Sequence, residues 1–301
     1  MSRWTPAALA ATHLIVLGAL APVMCGALLQ ISPVLFGAPY PRVKLVARLT
    51  AAGLGIGSLL IATGFLAGVT VLLLIGGVVV AGGLLVFLAG SYRALSAAST
   101  GPHQALWTVR LAVVALAVTV GLGLTLVLTR MGWLTLPEYL GWVDAHVSWG
   151  LAGWIGLLLA GVGMEIIPMF YISPPFSTGL KRVLPFAVAG LLSIITLSGI
   201  VEVDPSVLHF LVVALFCVHL LYNIVALYVE YRRRRPRRDA NLWLWQGSHV
   251  AVLFAFLAWL GGVSHSLVGI LLLGGALSFM IGSLTKIVPF LSWLDLQQRR
   301  V

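Results

Sequence analysis

The chain of 301 residues is 60% hydrophobic and only 9% charged, with a mean hydropathy of +1.09. Soluble domains carry roughly 25% charged residues, so a separate soluble domain is excluded and an all-α integral membrane protein is expected. The net charge of +10 does not indicate a nucleic-acid partner, because six of the eighteen basic residues crowd between Arg232 and Arg238 at the end of an apolar run, as cytoplasmic loops do.

A bilayer is crossed by about 20 apolar residues in helical form. On that criterion nine spans are predicted, at roughly 7–31, 45–66, 69–92, 106–130, 143–171, 183–201, 206–230, 241–262 and 265–292. Arg3 precedes the first run as in a signal peptide. The run continues to Phe36, longer than a signal's apolar core, so it is expected to stay as a span. Spans two and three are divided only by the stretch around Gly64 and Gly68. Cys25 and Cys217 both lie in apolar runs and read as small buried hydrophobes, not as a disulfide.

Alternate loops differ in charge. Arg42, Lys44 and Arg48 follow span one, Arg93 follows span three, Lys181 and Arg182 follow span five, the arginine cluster follows span seven, and Arg299 and Arg300 follow span nine. The intervening loops carry Glu138, Asp144, Glu202 and Asp204, with Arg130 the one basic residue near them. The positive-inside rule then sets the N-terminus outside and the C-terminus in the cytoplasm, in a bacterial inner membrane.

Spans one, five and nine share a spacing. Counted back from Pro33, Pro168 and Pro289, glycine recurs seven residues earlier (Gly26, Gly161, Gly282) and fifteen earlier (Gly18, Gly153, Gly274), and a polar residue three earlier (Gln30, Glu165, Lys286). Histidine opens each segment, His13, His146 and His265, at twenty, twenty-two and twenty-four residues before the proline. This predicts a pseudo-threefold array of four-helix units, about 7–130 and 143–262, with an incomplete third at 265–292. Parallel repeats about an axis along the membrane normal have this character. The glycines allow close helix approach, and the prolines break or kink each helix near its inner end. If the repeat is symmetric, Glu165 and Lys286 face one another as an ion pair.

Ionisable groups within spans suggest function. His13, His146 and His265 lie in the outer parts of the repeated helices, His209 at the outer start of span seven, and His219 and His249 near the middle of spans seven and eight. His103 falls in a loop and reads as solvated. Two imidazoles from facing helices can ligate heme iron axially; three can hold copper or zinc. The plain alternative is interfacial or hydrogen-bonded core histidines. Trp107, Trp133, Trp142, Trp243, Trp245 and Trp293 fit an aromatic belt, whereas Trp149, Trp154 and Trp259 are placed to line a pocket.

The segment AHVSWGLAGWIGLLLAGVGMEIIPMF, residues 145–170, resembles the histidine-to-PMF helix of small bacterial membrane proteins related to heme-copper oxidase subunit I, the NnrS family of nitric-oxide-response heme proteins among them. The segment HLIVLGALAPVMCGALLQISPVLFG resembles a partner helix of the same proteins. The resemblance implies that His13 and His265 are axial ligands of a heme, of b type since no CxxCH is present, and that His146 stands where a copper ligand stands. It departs from the oxidases at Gly150, where they carry a tyrosine, in span six, which lacks a histidine pair, and in the single His265. A terminal oxidase is therefore not expected. The reading is a heme- or metal-binding membrane protein in electron transfer or in nitric oxide or copper handling, with a redox partner or respiratory subunits beside it. A transporter, or a non-catalytic subunit or assembly factor of a respiratory complex, is the alternative.

Overall fold

The computed structural model describes residues 2–98, 105–201, 203–235 and 239–298. His103, Glu202, Arg237, Arg238, Arg299 and Arg300 lie outside the described residues. Among the described residues there is no strand, and nine helices are long and apolar enough to cross a membrane. They are Pro6–Phe36, Val43–Ala67, Thr70–Ala97, Ala105–Arg130, Tyr139–Tyr171, Thr178–Ile200, Pro205–Tyr231, Ala240–Leu260 and His265–Gln298. The shortest has 21 residues, about 31 Å at a rise of 1.5 Å per residue, enough for the hydrocarbon core of a bilayer.

Local chemistry sets the helix ends. Thr5 caps span one by accepting from the Ala8 amide, with Pro6 at the first helical position. Ser177, Asp204 and Asp239 cap spans six, seven and eight in the same way. Gly68, at φ +69°, closes span two and starts the turn into span three. The outward faces are apolar: Leu59, Leu85, Phe210 and Ile270 are all more than 60% exposed. Such a surface suits lipid. Cys217 lies on it, while Cys25 is buried.

Span five is the central helix. It packs against spans four, six, seven and nine, and more of its apolar stretch is buried than in any other span. Spans two and three form a close hairpin, as do spans eight and nine.

The repeat has a structural counterpart. Spans one, five and nine line one apolar crevice. They present the same register positions to it. Val23, Leu158 and Phe279 stand ten residues before their prolines, Met24, Leu159 and Met280 nine before, and Ala27, Val162 and Ser283 six before. Leu28 and Leu284 match at five, and Ile31 and Ile287 at two. Spans one and five share a further feature. Each changes to π-helical winding nineteen residues before its proline, over Leu14–Leu20 and Trp149–Gly156. Span nine stays α-helical throughout. The prolines do not end the helices: spans one and five run three residues beyond Pro33 and Pro168, and span nine runs to Gln298.

The expected Glu165–Lys286 pair does not form. Glu165 pairs with Lys181 at 2.8 Å, and Lys286 with Asp239 at 2.5 Å. The reason is angular. Positions six, nine and ten before each proline face the shared crevice, and positions two and five do so on spans one and nine. Position three falls at the edge of that stripe, and there each side chain meets a counter-charge on a neighbouring element, Lys181 of span six for Glu165 and Asp239 at the start of span eight for Lys286.

Trp245 is also placed differently from the belt expected for it. It is fully buried and donates to Ser283 at 3.2 Å. Gly282 makes room for it, since a Cβ there would fall 2.8 Å from the Trp245 ring.

Candidate functional site

Two polar constellations occupy opposite ends of the bundle. The first joins spans one and five at the end away from the arginine cluster. His13 and His146 lie with ring centroids 6.5 Å apart and ring planes 14° apart. Their helices are tied beyond them by the Arg3–Asp144 ion pair, at 2.8 Å. Nδ1 of His13 meets the Leu9 carbonyl at 2.8 Å, and Nδ1 of His146 meets the Thr119 carbonyl at 3.0 Å. A carbonyl only accepts, so Nδ1 carries the hydrogen in both rings. In a neutral imidazole Nε2 then holds the free lone pair. Metal-ligating histidines are commonly oriented by this kind of bond. Phe65 packs on His13 at 5.2 Å, and Gly123 leaves space for the His146 ring.

This donor set can be tested against the expected groups. A metal–imidazole bond is about 2 Å long. Two such bonds plus the depth of two rings match a centroid separation of this size, so the distance suits two imidazoles on one iron atom. A zinc or copper site needs at least three protein ligands. No group of three or more His, Cys, Asp or Glu stands together among the described residues. The set His146, His209, His219 and His249 is therefore not one metal site. His209 is exposed and stacks on Trp259 at 4.7 Å. His219 sits in mid-span against Gly156, and its Nε2 is buried without a hydrogen-bond partner. His249 lies elsewhere, as described below.

His265 is not brought to His13, whose described ring contacts are Phe65 and His146. It is the exposed first residue of span nine, after the turn at Gly262. Its greater distance from the proline carries it out of the level that His13 and His146 share. Trp149 and Trp154 do not open onto a common pocket: Trp154 is core, and Trp149 donates to Thr196 at 2.8 Å.

The second constellation lies toward the arginine end, between spans seven and eight. Asn223 donates through Nδ2 to the His219 backbone carbonyl at 2.8 Å, which fixes its amide orientation and turns Oδ1 toward His249. His249 Nδ1 lies 2.7 Å from that oxygen and must donate to it. Its Nε2 faces Oε1 of Glu230 at 3.4 Å. Glu230 is fully buried, and neither carboxylate oxygen has a hydrogen-bond partner. The Tyr222 hydroxyl nearby is buried and unpartnered as well. Sequence reasoning passed over Glu230 because it stands beside Tyr231 and the arginines, where a carboxylate reads as interfacial. The one signal was that it closes an apolar span opposite His249.

A third cluster caps the crevice at the same end. The Tyr171 hydroxyl donates to Asp239 and lies against Asn241, Lys286 pairs with Asp239, and Asn241 Nδ2 donates to the Gly282 carbonyl at 2.5 Å. Asp239 is half-exposed. Burial alone would raise its carboxyl, but hydrogen bonds from Lys286, Tyr171 and the Leu242 amide outweigh this and hold it below the usual carboxylate range.

Comparison with protein-family models, with curated proteins and with solved structures finds no match to this chain.

Proposed function

We propose that this chain is a heme-binding integral membrane protein in which His13 and His146 supply the two axial imidazoles. The observation that carries this reading is their geometry. Two near-parallel rings on facing helices, each with Nδ1 held by a backbone carbonyl, keep both Nε2 lone pairs available. A b-type heme held there would supply one-electron chemistry, suited to electron transfer or to nitric oxide handling with a redox partner. The arginine-bearing face is proposed as cytoplasmic and the N-terminus as outside, in a bacterial inner membrane, because the loop charges alternate in that sense.

Purified protein is expected to show reduced-minus-oxidised heme bands and about one iron per chain. His13→Ala and His146→Ala should each abolish or strongly alter those bands, and His265→Ala should leave them intact. A featureless visible spectrum with no iron on elemental analysis would reject the reading.

A further inference from the structure

The pairing of Glu230 with His249 requires a hydrogen that neither group can lack. Asn223 fixes Nδ1 of His249 as a donor, so Nε2 of the neutral ring is an acceptor. It faces Oε1 of Glu230, which as a carboxylate is an acceptor too. Two acceptors facing each other in a buried site repel unless a proton lies between them. An ionised carboxylate buried without a partner is costly and is relieved by taking up a proton.

Among the described residues no Lys or Arg side chain pairs with the carboxylate. Just past the end of the span, Arg233 gives Nη1 to the Glu230 backbone carbonyl at 3.1 Å and its Nε is buried without a partner; on the span itself, Tyr222 keeps its hydroxyl against Gly163. On span five, Glu165 is engaged with Lys181 of span six, and Tyr171 with Asp239. Lys286 of span nine is also committed to Asp239. From span eight, His249 itself faces the carboxyl group.

We propose that Glu230 and His249 form a buried proton-binding site near the arginine-bearing face, with the proton resting on Glu230 and facing the lone pair of His249 Nε2. The Nε2 to Oε1 separation of 3.4 Å is longer than the roughly 2.7–2.9 Å of a charge-assisted pair, so no ion pair of ordinary geometry joins the two groups. Exchange with water at that face breaks the Oε–H bond of Glu230 and releases one proton, leaving a carboxylate beside a neutral imidazole. No electron transfer is involved, and the site does not depend on heme.

Infrared spectroscopy of the full-length wild-type protein in lipid tests this. A protonated-carboxyl C=O band is expected, shifted to lower frequency in D2O. Glu230→Gln should remove that component. Glu230→Asp should keep a carboxyl band at a different frequency. Circular dichroism checks that both variants keep their helical content; if Glu230→Gln does not fold, Glu230→Asp and wild type decide the matter. A wild-type spectrum without a Glu230 carboxyl band, or with one that does not shift in D2O, would overturn the proposal.

Discussion

Gly123 faces the imidazole of His146: a Cβ on Gly123 would lie 3.0 Å from Cε1 of the ring. The same ring donates to the Thr119 carbonyl, one turn earlier on span four. Span four thus holds the ring from two sides, by a hydrogen bond and by an open seat. Gly123→Ala is expected to push the ring out of its near-parallel relation to His13. Loss of an orienting contact typically weakens metal binding by about 10–100-fold. Heme titration of Gly123→Ala should therefore show an affinity at least about tenfold weaker than wild type, with helical content unchanged. Equal affinity would mean that the seat does not orient the ligand.

The hairpin of spans two and three depends on backbone contact. A Cβ on Gly53 would meet the Gly83 Cα at 2.8 Å, an atom that cannot move aside as a side chain can. Gly55, two residues away, has nothing within 4 Å of its would-be Cβ. A glycine-to-alanine change inside a helix otherwise gains about 0.5–1 kcal/mol. Gly53→Ala should instead cost about 1–3 kcal/mol through overpacking, and Gly55→Ala should be neutral or stabilising. Thermal unfolding of the two variants side by side separates the cases; similar melting temperatures would refute the close-contact account.

Much of this fold was legible in the sequence because the bilayer makes hydrophobic length a direct readout of helices. The proline-anchored spacing also read correctly as shared geometry, since Val23, Leu158 and Phe279 face one crevice from matching positions. Partner choice was not legible. The spacing puts Glu165 and Lys286 at equal depth but does not say which way they point, and each finds its counter-charge on a different neighbour. The histidines show the same limit. His13, His146 and His265 each open a repeated segment, yet His13 meets His146 and not His265, which stands four residues farther from its proline than His13 does. No residue pattern in the chain announces a π turn. Glu230 escaped because burial depends on how spans seven and eight meet.

The ion pairs give a thermodynamic test. Glu165 and Lys181 are in contact, whereas Glu165 and Lys286 have separate partners. Residues in contact show coupling of about 0.5–3 kcal/mol, and separated ones add to within about 0.5 kcal/mol. A double-mutant cycle with Glu165→Gln and Lys181→Gln is expected to show coupling in the first range, while Glu165→Gln with Lys286→Gln should be additive. The reverse pattern, read from denaturation in detergent, would restore the pairing that the repeat alone suggested.

Asp239 links the start of span eight to span nine and sets an acid limit. Its carboxyl is held below its ordinary value: the burial that would raise it is outweighed by Lys286, Tyr171 and the Leu242 amide. A carboxyl depressed in the folded state contributes stability that is present above its unfolded value, about 3.9, and lost as pH falls through its folded value. Stability should therefore decline below about pH 4 as Asp239 takes up a proton and its ion pair with Lys286 is lost. Asp239→Asn removes this group's contribution. The variant should melt lower than wild type at pH 7, because Lys286 loses its counter-charge, and its melting temperature should fall less between pH 5 and acid conditions. Melting curves of the two proteins that run parallel across that window would show that another carboxylate sets the acid limit.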